Sequence, residues 1–64
     1  MLTDIYRTAS LMIREHGSEA NIHTAMRSDE LLEAGETEGA AVWRQVVNAI
    51  QELQRGARPG EAIN

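Results

Sequence analysis

Residues 35–55 read GETEGAAVWRQVVNAIQELQR and hold the chain's single Trp together with its cleanest helical periodicity. Gly39, Val42, Trp43, Val46, Ala49, Ile50 and Leu53 recur at steps of three and four, which sets them on one side of a helix turning about 100° per residue. Arg44, Gln45, Asn48, Gln51, Glu52 and Arg55 fall opposite. The segment is therefore an amphipathic helix with one face to bury, and Trp43, its largest apolar group, is expected at the centre of the core. Glu36 or Thr37 is the expected N-cap, Glu36 and Glu38 bring negative charge to the positive end of the helix dipole, and Arg55 sits in the last turn. Gly39, one turn before Trp43, is expected to let a neighbouring helix approach closely or to leave room for the indole.

Upstream, Thr3 is the expected N-cap of a first helix over 3–16, with Asp4 in its first turn. Ile5, Ala9, Met12, Ile13 and His16 share a face, with Leu2 and Tyr6 at its edge, and Leu11 lies on the far side, where it could extend a subunit contact. Gly17 supplies a left-handed stop. Ser18 is the expected N-cap of a second helix over 18–34, closed by Gly35. Its apolar residues project on two sides, Ile22, Ala25, Met26 and Leu32 against Ala20, Leu31 and Ala34, the pattern of a helix pressed between two neighbours. Connections of two or three residues force sequential helices to pack closely, antiparallel or sharply crossed. The expected architecture is all-α: three short helices, about 3–16, 18–34 and 37–55, forming a small bundle in residues 1–56, either closed on itself or completed by a second subunit. Residues 57–64, ARPGEAIN, are expected to form a flexible tail, from which Ile63 could dock back on the body.

Sixty-four residues make one domain at most. A chain this short buries only about 60% of the surface its unfolded form exposes. There is no Phe, nine of the hydrophobic residues are Ala, and Cys is absent, so neither disulfides nor thiolate metal sites can reinforce the fold. Oligomerisation is the reinforcement left open, and a homodimer or larger assembly is expected. A net charge of −4, with six scattered arginines and no Lys, lacks the electrostatic footprint of nucleic-acid binding. No stretch resembles a signal peptide or a membrane span, so a cytoplasmic protein without a nucleic-acid or membrane partner is expected.

Few residues invite chemistry. Glu15, His16, Glu19 and His23 raise the question of a divalent metal site, with Glu19 and His23 one helical turn apart, but Gly17 breaks the register to His16 and no HExxH spacing is present. His16 at a helix end and His23 as a partly buried polar residue account for both. Asp29 projects within the side bearing Ile22, Met26 and Leu32, where it is expected to be partly buried and paired, while Arg27, Glu30 and Glu33 read as a solvated face. Gly35 and Gly39 form a GxxxG string, but it straddles a helix boundary outside any membrane span. No Ser, His and Asp set at credible spacing, no phosphate loop and too little chain for an enclosed pocket argue against an enzyme. No cofactor is expected.

The run HG at 16–17, Ala20, His23, AMRSDELLEAG at 25–35, Gly39, Trp43, Ala49, Ile50, Glu52 and Leu53 resembles a group of short, functionally uncharacterised alphaproteobacterial proteins. The likeness covers nearly the whole chain except the tail, and its motifs are helix-end glycines, a Trp and aliphatic positions. In that pattern an Asp commonly follows the Gly before the third helix, whereas Glu36, a weaker N-cap, stands here. The resemblance implies a bacterial cytosolic origin and names no reaction or ligand.

The function these observations predict is a small helical interaction module that self-associates or binds an unidentified protein partner. Trp43, Val46, Ile50 and Leu53 would share a core with Ile5, Met12 and Ile13 across subunits, and Leu11 or Leu31 would extend the contact. The alternatives are a transcriptional regulator with a degenerate helix-turn-helix, motivated by the short turns, and a small ligand or metal sensor using His23 and Glu19.

Overall fold

The computed structural model describes the backbone of residues 2–56 and the side chains of residues 4–56. Helix α1 spans Leu2–His16, a single 3-10 turn spans Gly17–Glu19, α2 spans Ala20–Glu33 and α3 spans Thr37–Gln54. The protein is all-helical, and no strand occurs among the described residues. The expected tail, residues 57–64, lies outside the described residues, as does the docking of Ile63.

Helical backbone runs almost without interruption from Leu2 to Glu33, and Gly17, at φ +59, supplies the left-handed residue that separates α1 from α2. Two capping expectations fail here. Helix α1 begins at Leu2, so Thr3 lies inside it. Ser18 falls in the 3-10 turn, whose closing bond runs from the Ala20 N–H to the Gly17 carbonyl. The N-cap of α2 is consequently Glu19, with no side-chain capping bond.

The α2–α3 turn is a complete Schellman closure. Gly35, at φ +82, donates its N–H to Leu32 O at 3.0 Å, and Glu36 donates to Leu31 O at 2.9 Å. Glu36 then stands at the N-cap of α3, as one of the two expected choices, but makes no side-chain capping bond.

Helices α2 and α3 run antiparallel and pack most extensively on each other, while α1 packs mainly on α3. The hydroxyl of Ser28 donates to Ala40 O at 2.9 Å across the α2–α3 seam. Helix α1 is tied to the C-terminal part of α3: Tyr6 Oη donates to Glu52 Oε2 at 2.6 Å, and Gln54 Nε2 donates to the Gly17 carbonyl at 3.1 Å. The middle position expected for α2 is therefore held by α3.

Ile5, Ala9, Ala20, Val46, Ala49 and Ile50 form the buried cluster, with Tyr6, Met12, Ile13, Trp43 and Leu53 packed partly buried around it. Its centre is Ile50 and Val46, which are among the most deeply buried side chains, and the Trp43 indole lies at the margin. Because α1 covers the C-terminal part of α3, the stripe loses its cover toward the N-terminus, where Val42 is 43% exposed. Ala40 and Val47, seven residues apart on one flank of α3, are buried although the apolar stripe omitted them. Gly39 is not a forced close approach, since a Cβ there would meet Leu31 Cδ1 at 3.6 Å, an ordinary contact.

Candidate functional site

Of the two sides its apolar residues mark, helix α2 covers the one that carries Ala20 and Leu31. Ala20, Thr24 and Ser28, spaced four apart, are its buried residues. Their small side chains let the backbones of α2 and α3 come close, and Ser28 spends its hydroxyl on the facing carbonyl of Ala40. Thr24 has no exposed surface, and its hydroxyl is left without a hydrogen-bond partner in that seam.

The consequence appears on the opposite side. Ile22 is 62% exposed, Met26 55% and Leu32 55%, on the face expected to be buried. Asp29, within the same strip, is also exposed rather than partly buried, and its carboxylate lies 4.0 Å from Arg44 on α3. Arg27 and Glu30 approach to 3.9 Å on the solvated flank, a geometry that contributes little to stability when both groups are wet. The two-sided helix pressed between neighbours is thus corrected: α2 has one covered side and one bare apolar side.

Among the residues singled out from the sequence, Ile5, Val46 and Ile50 are buried, and Met12, Ile13, Trp43 and Leu53 lie partly buried against them. Their surroundings are the helices of their own chain. Leu31 is partly buried beside Gly39, and Leu11 stands 51% exposed on the outer side of α1. Arg7, Ser10, Leu11 and Arg14 line a shallow groove of about 220 Å³ there. A second, open hollow of about 360 Å³ at the start of α3 is lined by residues 35–39 and includes Glu36 and Glu38, whose charge opposes an anion at that helix end.

The imidazoles of His16 and His23 stack with centroids 4.1 Å apart and planes inclined by 20°. Gly17 was expected to separate them, but the turn it opens folds the end of α1 against the first turns of α2. Glu19 Oε1 lies 3.7 Å from His23 Nε2. Stacked rings present π-faces to each other rather than converging lone pairs, and among the described residues no three His, Asp or Glu side chains are placed to hold a metal ion. No helix among them is long and apolar enough to cross a membrane.

Hydropathy projection found the residues of the bare strip but assigned them to the interior. The signal that could have placed them is the run of small residues at 20, 24 and 28, which marks the side able to approach another backbone most closely.

Residues 4–58 match the model of DUF6961, a family of unknown function, and the chain belongs to that family. No curated protein and no solved structure matches the chain.

Proposed function

We propose that this member of a family of unknown function is a small, non-enzymatic helical module that associates with a second copy of itself through the outer side of α2. The carrying observation is that Ile22, Met26 and Leu32 all point outward along one helix at more than half exposure. Exposed apolar side chains are ordinary singly, but a row of them on one face marks a contact surface. Ile22 and Met26, one turn apart, have the spacing of the usual anchors of helix-face recognition, and Met adapts to a partner's shape at little expense.

Because α1, α2 and α3 of one chain all contribute to the buried cluster, the proposed contact is one between folded monomers. The bacterial cytosol is its proposed setting, supported by the sequence resemblance to short alphaproteobacterial proteins. Light scattering over a concentration series tests the proposal. The expected mass approaches twice 7.1 kDa as concentration rises, and Met26→Asp returns the chain to a monomer with unchanged helicity. A mass that stays at one chain throughout would refute self-association.

A further inference from the structure

The chain has two histidines, and both are spent on one contact, the stack of His16 on His23. Histidine is the side chain that changes charge between about pH 5 and 8, so this stack is the whole of the chain's histidine response to pH. It also spans a joint. His16 is the last residue of α1, His23 lies in the first turn of α2, and between them Gly17 takes φ +59, where a Cβ would meet nothing within 4 Å. A glycine in that setting lets the backbone swing with little steric resistance.

Charge around the rings is sparse. Glu19, in the turn and 3.7 Å from His23 Nε2, is the only carboxylate within 4.0 Å of an imidazole nitrogen among the described residues. Glu15 precedes His16 on α1, and Arg27, one turn beyond His23 on α2, lies 3.9 Å from Glu30. From α3 the neutral Gln54 reaches the Gly17 carbonyl, Arg55 follows it in sequence, and Glu52 accepts the hydrogen bond of Tyr6. One close carboxylate therefore serves two rings. Two neutral rings, or a charged ring over a neutral one, attract face to face, whereas two charged rings repel.

We infer that the His16–His23 stack is an acid-sensitive latch on the elbow between α1 and α2, which opens about Gly17 when both rings carry a proton. The latch holds above the histidine range and is lost as pH falls through it. Helix α1 stays on α3 through the buried cluster and the Tyr6–Glu52 bond, so the opening is local.

Ring-to-ring NOEs between His16 and His23 test this on the full chain, with amide exchange followed in the same samples. Between about pH 7.5 and about pH 5 the ratio of closed to open elbow is expected to fall about fivefold, the worth of two like charges about 4 Å apart in water. The Ile50 amide, in the buried cluster, is expected to keep its protection once intrinsic exchange rates are corrected for. His23→Phe, at an exposed position, keeps ring on ring without a second charge and should hold its contact with His16 at both pH values. Glu19→Gln removes the one close carboxylate and should enlarge the loss. NOEs that persist unchanged in the wild type, or that fade equally in His23→Phe, would overturn the latch. A Glu19→Gln chain that opens less than the wild type contradicts it independently of the Phe variant. Parallel loss of protection at Ile50 would overturn it too, since the response would then be unfolding of the whole chain.

Discussion

Helices α2 and α3 lie side by side and face the same question of which side to bury. In α3 the apolar periodicity decides: Val46, Ala49 and Ile50 are at most 2% exposed, and only the end beyond the reach of α1 stays wet. In α2 it does not, because the buried run is Ala20, Thr24 and Ser28 while Ile22, Met26 and Leu32 face out. The difference lies in what each helix meets. Helix α3 is covered from two directions and can bury large side chains between its neighbours. Helix α2 packs mainly on one neighbour, α3, and against it a row of small side chains allows close approach and many weak contacts where larger ones would hold the helices apart. Hydropathy predicts burial well when several helices compete for a residue, and less well when a single seam favours small volume.

The sharpest way to break the contrast is to truncate one aliphatic group on each helix. Ile50→Ala is expected to destabilise the chain by about 3–4 kcal/mol, because the site is closed and cannot collapse. A domain of this length has only about 3–10 kcal/mol to lose, so urea denaturation should find the variant largely or marginally unfolded. Ile22→Ala, on the outer face, should change monomer stability by no more than about 0.5 kcal/mol. Equal effects from the two would contradict the assigned orientation of α2.

The polar seam can be sharpened in both directions. Thr24→Val keeps the branched shape and removes a buried hydroxyl that has no partner, so it should stabilise by about 1–2 kcal/mol in the same denaturation experiment. Ser28→Ala removes a hydroxyl that is bonded to Ala40 O and should destabilise by about 1 kcal/mol. Opposite signs at two positions one turn apart distinguish a satisfied from an orphaned group, which a uniform small-residue effect would not. Gly39→Ala is the smallest expected change, a gain of about 0.5–1 kcal/mol in helix propensity, since the added methyl meets only Leu31 at ordinary contact distance.

Much of the fold was legible because helix ends and helix faces are written locally. Gly17 and Gly35 stop helices by adopting positive φ, and the bounds of α1 and α3 follow from periodicity to within one residue. Capping was less legible: Thr3 and Ser18 have suitable side chains, yet α1 starts before one and a 3-10 turn absorbs the other. The position of Trp43 was misjudged because size suggested the centre, whereas α1 crosses α3 nearer Ile50 and leaves the indole at the rim. The candidate surface was half legible. Its residues stand out as an apolar set, but whether the set faces a helix of the same chain or open solvent depends on how closely Ser28 and Ala40 can approach, a tertiary property that no window of sequence contains. The bonds Tyr6–Glu52 and Gln54–Gly17 link residues 46 and 37 apart and were invisible for the same reason.

Methyl resonances followed by NMR through a dilution series give the most direct test, because they distinguish the two sides of α2 in one sample. The expected result is that Ile22, Met26 and Leu32 shift with concentration while Thr24, Val46 and Ile50 hold still. Shifts centred on the α3 residues, or none up to millimolar protein, would contradict an outward α2 face made for a second copy.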